Sequence, residues 1–355
     1  MTRTRIATFN VENLFNRARV LNFFDHEHGT EKLKNIALLE AELRKPVYDK
    51  AEIARLYALV EDVVRFNITR SRVGRYIISR SHGQWRVHPD GPNDWAGTIE
   101  FKRAKFDDTT TRNTARVIRE VDAHILCIIE VENRLALETF NSDRLASRYP
   151  YNILIDGNDS RGIDIGLYSK FEFGTIRTNI FDGTAQSRTF PRDCLEVEVL
   201  TPGGPTYLLM NHFTSKSLGG DDRRERQAQR LNELLQDRYN LADQRVVVAG
   251  DLNDTPDSAP LGHLLGNNGL TDVLKLAFPN DSAMRWTYHY DRNEQIDYIL
   301  VSTPLASVFQ GAGVERRGIA DVDGYSNGTI IPFSSVTSWR DAASDHGAVW
   351  ADFDL

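Results

Sequence analysis

The stretch VVVAGDLNDTPDS, Val246 to Ser258, drives four apolar residues straight into a glycine, two carboxylates and an asparagine. An ordinary turn could use Asp251, Asn253 and Asp254, because Asp and Asn hydrogen-bond their own backbone and tolerate unusual dihedrals. The same construction recurs along the chain, however. TFNVEN carries Asn10 and Glu12, CIIEVEN carries Glu130 and Glu132, SRGIDIGLYS carries Arg161 and Asp164, and LMNHFTSK carries Asn211 and His212. SDHGAVW adds Asp345 and His346, and IDYILV sets Asp297 inside an apolar run. Singly, each is a cap, a turn or a satisfied buried group; together they describe a polar site assembled from strand ends.

Working outward, apolar runs bounded by turn residues predict strands at Ile6 to Phe9, Ile125 to Ile129, Ile163 to Tyr168, Leu195 to Val199, Tyr207 to Met210, Arg245 to Ala249, Ile296 to Val301 and Ala348 to Phe353. TTRNTARVIREV and RRERQAQRLNELLQDRY place apolar residues at helical intervals between them. Many strands with few helices, and no strict βαβ alternation, predict two sheets packed face to face and flanked by helices. The whole chain, 1–355, reads as a single domain carrying an inserted segment at about 17–107. That segment holds two helical patterns around Pro46, Leu33 to Leu43 and Ala51 to Val64, followed by a basic, strand-like stretch.

With 355 residues, 41% hydrophobic and 26% charged, the chain can bury a sizeable core. A net charge of -7 excludes a protein that coats nucleic acid by bulk electrostatics and leaves only local basic strips for phosphates. Cys127 and Cys194 sit in apolar runs and read as small buried hydrophobes. No run approaches the roughly 18 apolar residues of a membrane span, and the first residues lack the apolar region of a secretory signal. A cytoplasmic protein is expected, with no protein partner inferable.

Cleaving a phosphate ester calls for positive charge near the nonbridging oxygens, an activated water in line and a proton for the leaving oxygen. The strand-end residues supply all three. Glu130 ends an apolar run and is costly to bury unless a cation faces it, which makes it the leading metal ligand; hard oxygen chemistry favours Mg²⁺ or Mn²⁺. His212 and His346 are candidates for proton transfer or phosphate contact. Asp297 is available to orient the ring of His346. The chain has no G-x-S-x-G elbow, no P-loop and no Cys/His zinc spacing.

GDLND, the terminal SDH, NVENLF, IIEVEN and NHFTSK together resemble the endonuclease/exonuclease/phosphatase superfamily, which includes pancreatic deoxyribonuclease, abasic-site endonucleases, sphingomyelinases and inositol-polyphosphate phosphatases. The last motif is similar to a bacterial nuclease-like branch. The resemblance implies an α/β four-layered sandwich of two mixed sheets flanked by helices, the deoxyribonuclease-like fold, and metal-dependent phosphoester hydrolysis. It implies that Glu130 binds the metal (Mg²⁺ or Mn²⁺, with Ca²⁺ a further candidate), with Asn10 beside it and Asp345 completing the shell. Asp251 would orient or deprotonate the attacking water, and Asn253 would hold that water or the phosphate. His212 would donate to a phosphate oxygen with Asp297 fixing its ring, His346 would act on the phosphate or as general acid or base, and Arg161 would contact the phosphate. HYDRNEQIDYIL replaces the glycine-containing turn usual before this strand, leaving His289 and Arg292 without a role.

The leading expectation for the substrate is DNA or RNA, cut from within or from an end. The stretch Arg65 to Arg86 has six arginines, no acidic residue and interleaved Phe66, Tyr76 and Trp85, as an arm gripping a nucleic-acid strand would. The alternatives are a lipid or small-molecule phosphodiesterase or phosphatase and, from a different class, a non-catalytic binding protein on the same fold.

Overall fold

The computed structural model describes residues 2–15, 18–21, 26–104, 106, 108–216, 220–266 and 269–355. The chain divides into two compact units, Met1–Phe15 with Phe106–Leu355, and Asn16–Lys105. Residues 17 and 107, the limits expected for the inserted segment, lie outside the described residues.

In the larger unit the strands and main helices, in chain order, are β1 (Arg3–Leu14), α1 (Thr109–Val121), β2 (Ile125–Val131), α2 (Arg134–Leu145), β3 (Tyr151–Leu154), β4 (Asp164–Ser169), β5 (Phe173–Arg177), β6 (Cys194–Thr201), β7 (Gly204–His212), α3 (Asp221–Arg238), β8 (Arg245–Asp251), β9 (Leu270–Asp272), β10 (Asp297–Ser302), β11 (Phe309–Glu315) and β12 (Ala348–Asp354). They form two six-stranded mixed sheets, in the orders β11-β12-β1-β2-β4-β3 and β9-β10-β8-β7-β6-β5. Each sheet buries both faces, which is why its strands read as continuous apolar runs instead of alternating. In β2, Ile125, Cys127 and Ile129 pack between the sheets with Met210, Val247, Ala249 and Ile299. Leu126 and Ile128 point the other way, onto Val117 and Ile118 of α1 and Leu137 and Phe140 of α2. Val246 and Val248 of β8 meet Leu231 and Leu235 of α3 on the outside of the second sheet. Helices, sheet, sheet and helix are thus four layers.

Period-two alternation fixes where the strand ends aim. His212 shares its face with Leu208 and Met210, Asp251 with Val247 and Ala249, and Asp297 with Ile299 and Val301, all in the layer between the sheets. Register places His212 opposite Asp251 across β7 and β8, and Asp251 opposite Asp297 across β8 and β10. Gly250 makes this possible. Its φ of +136° and a Cβ that would sit 1.9 Å from the Asn211 carbonyl oxygen leave room for glycine alone.

The smaller unit has helices His26–Leu43 and Lys50–Val60, whose apolar residues Leu39, Ile53, Leu56 and Val60 share a core with Val64 and Trp95. Asp49 caps the second helix by accepting from the amides of Ala51 and Glu52 at 3.1 and 3.0 Å. That helix ends at Val60 and not, as expected, near Val64, because the following β-branched, alternating residues pair as a strand, Val64–Ser71 against Trp95–Phe101. A hairpin, Ile78–Ser81 with Gln84–Val87, follows. Among the described residues no helix is long and apolar enough to cross a membrane.

Candidate active site

A cleft of about 710 Å³ opens where β1, β2, β7, β8 and β10 end, and Asn10, Glu130, His212, Asp251 and His346 line it. Arg161, Asn253 and Asp345 reach the same cleft. Asp297 lies beneath it, fully buried. The residues singled out from the sequence are therefore drawn together from positions up to the full length of the chain apart.

Asp251 is the hub. Its Oδ1 accepts from the amide of Asn253 at 2.8 Å and its Oδ2 from Nδ2 of Asn10 at 3.1 Å. Burial, then the charge of Asp297, push its carboxyl up to about 7. Asn253 adopts a left-handed φ of 53°, and its side-chain amide donates to the Phe213 carbonyl at 3.1 Å. One of its two donors is thus committed to the scaffold. Glu130 is also left-handed, φ 69°, and accepts from the Asn13 amide at 3.1 Å; such backbone strain at a carboxylate is the kind that folds hold at functional sites.

The two histidines differ. His346 pairs its Nδ1 with Asp297 Oδ2 at 2.8 Å and its ring lies 4.8 Å from that of Tyr288. Burial alone would lower its pKa, but the carboxylates of Asp297, Asp345 and Asp251 outweigh burial and hold it well above the usual histidine value. His212 is 4% exposed, its Nδ1 has no partner among the described residues, and its Nε2 lies 3.6 Å from Asp251 and 3.8 Å from Glu130. Those distances exceed hydrogen bonds, so burial, followed by the charges of Arg192 and His346, depresses its pKa well below the usual value. His212 is neutral at pH 7 and His346 is an imidazolium.

The pairing expected from the resemblance, Asp297 fixing His212, is not what the structure has: Asp251 stands between them in register, and the loop before β12 brings His346 to Asp297 instead. Asp345 is further out, its side chain 45% exposed with Oδ1 3.7 Å from His346 Nε2. Arg161 makes a two-armed contact with Asp159 at 3.1 and 2.9 Å. His289 bonds Asn293 at 2.7 Å and stacks on Tyr325, and Arg292 pairs with Glu294 at 2.8 Å in the hairpin that replaces the glycine turn.

Of three further contributors, Glu12 stands in a sequence motif, whereas Arg192 and Ser344 carry no sequence signal. Arg192, 3% exposed, reaches Asp159 at 2.8 Å and the Phe213 carbonyl at 2.7 Å and faces the cleft. Ser344 donates to the Asn10 carbonyl at 2.7 Å and accepts from the His346 amide at 3.0 Å, setting the entry to β12. Glu12 accepts from the Asp345 amide at 3.2 Å; burial and the charge of Asp345 push its carboxyl up to about 7.

A divalent ion fits such a donor set. Asp251, Asp297 and His346 offer ligand atoms within 4.8 Å of one another. The Asp297–His346 bond already consumes two of those groups, whereas Glu130 Oε1 faces the cleft from 3.8 Å off His212. Burial, reinforced by the charges of Asp345 and Asp297, pushes Glu12 and Asp251 up to about 7, and a hard cation would relieve both causes.

Paired carboxylates, two histidines in opposite electrostatic settings and arginines facing a common cleft suit the chemistry of phosphoester hydrolysis. The model of the Endonuclease/Exonuclease/phosphatase family matches residues 97–346, and the chain belongs to that family. No curated protein matches the chain in sequence. Among solved structures, truncated TDP2 from Caenorhabditis elegans is 18% identical, covering 70% of this chain and 91% of that one with a TM-score of 0.50. TDP2 from D. rerio, complexed with a single strand DNA product, is 15% identical over 70% and 92% with a TM-score of 0.51. An endonuclease/exonuclease/phosphatase from Beutenbergia cavernae is 17% identical over 69% and 66% with a TM-score of 0.50. At these identities the likeness is one of fold.

Proposed function

We propose that the protein is a divalent-metal-dependent phosphodiesterase that cleaves nucleic-acid strands. The observation that carries this reading is the row His212, Asp251, Asp297 with His346 bonded to Asp297, facing Glu130 across one cleft. The single strand DNA product in the D. rerio protein of like fold supports the choice of substrate.

Glu130, with Asn10 and Asp345 at the margin, would hold the Mg²⁺, Mn²⁺ or Ca²⁺ ion, which when bound supplies positive charge against the nonbridging oxygens. Asp251, fixed by Asn10 and Asn253 and with its carboxyl near 7, orients the attacking water and takes its proton. His346, held as an imidazolium by Asp297, steadies the charge that builds on the phosphate and can give a proton to the leaving oxygen. His212, neutral and placed between Glu130 and Asp251, donates a hydrogen bond to a phosphate oxygen. Arg161 and Arg192, spaced by Asp159, present guanidinium donors to the remaining oxygens.

The test is hydrolysis of bis-p-nitrophenyl phosphate and of a labelled DNA strand by wild type, Glu130→Ala and His346→Ala, with added metal and with chelator. Turnover that chelation abolishes, and that both variants lose while melting like wild type, is expected. Turnover in chelator, or near-normal turnover in His346→Ala, would overturn the assignment.

A further inference from the structure

A second cavity, of about 520 Å³, opens in the larger unit beside the hairpin Gly183–Thr184 with Ser187–Arg188 and the first turns of α3. Its charged lining is Arg188, Arg223 and Arg226, and no carboxylate lines it among the described residues, in a chain whose net charge is -7. Three acidic residues nearby turn to other partners. Asp221 bonds Arg224, Glu225 lies 3.6 Å from His263, and Asp182 accepts from Arg230 at 2.8 Å and from Thr189 at 3.0 Å. Carbonyls, not carboxylates, hold two of the cavity's arginines. Arg188 donates to the Phe181 carbonyl at 2.8 Å and Arg226 to the Asp222 carbonyl at 3.2 Å. Arg223 has no side-chain partner among the described residues, so all three keep their charge and have donors to spare.

Along the chain the cavity's other wall adjoins the catalytic cleft, Pro191 and Thr214 being neighbours of Arg192 and Ser215, which line that cleft. Asn158 precedes Asp159, which grips both Arg161 and Arg192, and Pro191 precedes Arg192. Thr214 follows Phe213, whose carbonyl accepts from Arg192 and Asn253. A chain of phosphates passing over that wall would find positive charge on both sides of it, which is how proteins track a nucleic-acid backbone. Beside Arg188 the ring of Phe181, 68% exposed, offers a surface for a base. Among the described residues lining the cavity none is a large apolar side chain, as acyl chains would need.

Resting on the phosphodiesterase reading, we infer that this arginine cavity carries the polynucleotide beyond the scissile phosphate, so that the enzyme grips a strand at two places and a small diester at one. The test uses Arg223→Ala/Arg226→Ala, both exposed positions, and a fluorescein-labelled single-stranded DNA of about 12 nucleotides, within the span such sites occupy. Anisotropy with chelator present reads binding without cutting. The double variant is expected to bind tenfold or more weakly at low salt, with a log–log salt slope shallower by about 1.4, the release expected for two phosphate contacts on a single strand. Arg223→Lys/Arg226→Lys is expected to restore the slope. In the alanine double variant KM for the DNA rises while turnover of bis-p-nitrophenyl phosphate in Mg²⁺ stays within twofold of wild type. An unchanged affinity and slope would overturn the inference, as would tighter binding to phosphatidylserine vesicles than to the strand, lost in the double variant. Absence of small-diester turnover in wild type would instead strike the phosphodiesterase reading, while the anisotropy still decides this one.

Discussion

Two sides of one cleft hold a histidine each, and the sides have opposite electrostatics. Around His346 three carboxylates overcome burial and keep the ring charged; around His212 burial and the neighbouring Arg192 keep it neutral. The difference teaches that a shared desolvation cost does not set charge state. What sets it is the charge around each ring: Asp297 at 2.8 Å and Asp345 at 3.7 Å act on His346, whereas the positive charges of Arg192 and His346 act on His212.

Four changes would break or sharpen that contrast. Gly250→Ala strikes both sides together, because its Cβ would collide with the Asn211 carbonyl at the joint between β7 and β8. Destabilisation of about 3 kcal/mol or more is expected, read as a lowered denaturant midpoint together with lost activity. His346→Ala removes the charged side alone, and kcat should fall by about 10²–10⁴ with an unchanged midpoint. Asp297→Asn keeps the ring but deletes the nearest carboxylate that raises its pKa. Wild-type activity, carried by the imidazolium, is lost as pH rises through the raised pKa; in the variant the same alkaline limb moves to lower pH, with a loss of about tenfold to a hundredfold at pH 8. An alkaline limb that stays in place would remove His346 as the titrating group. His212→Asn should cost the least, about tenfold in kcat, and leave the alkaline limb where it is because the neutral ring contributes a donor and not a charge.

A similar contrast separates two arginine-rich regions and shows how far the sequence could be read. The stretch Arg65 to Arg86 looks like a nucleic-acid arm, and its six arginines are indeed exposed. Two of its three aromatics are committed elsewhere, Phe66 and Trp85 packing on Tyr57 at 5.3 and 4.9 Å and Phe66 meeting Trp95 edge-on, while Tyr76 stays exposed. An aromatic that stacks on a base and one that fills a core look alike in sequence. The helix DDRRERQAQR reads as a solvated face because its acids offset its bases, yet Asp221 turns back to Arg224 while Arg223 and Arg226 look into a cavity. Linear charge balance hides that division.

The two-sheet architecture, by contrast, was legible, since apolar runs ending in Asn10, Glu130, His212 and Asp251 carry both the strand period and the direction of the last side chain. Pairings between distant loops were legible only as alternatives, Asp297 being open to the ring of His346 or, from the resemblance, to that of His212. His346 and Asp297 stand 49 residues apart, and only strand order decides that Asp251, not Asp297, neighbours His212. Arg192 precedes a strand as many arginines do, and its burial against Asp159 follows from a loop path that no local pattern encodes.

The placement of Asp251 and Asp297 on central strands of a fully covered sheet has a kinetic consequence. Asp251 closes the β8 ladder and the amide of Asp297 donates to Thr287 Oγ1 at 3.1 Å, with both residues buried, so these amides should be among the slowest to exchange with deuterium. The loop bearing Arg161, bonded mainly to its own neighbour Asp159, should exchange by local opening. Warming would then loosen the phosphate grip well before it disturbs the proton-handling groups, and substrate affinity should fade at temperatures where maximal turnover still holds.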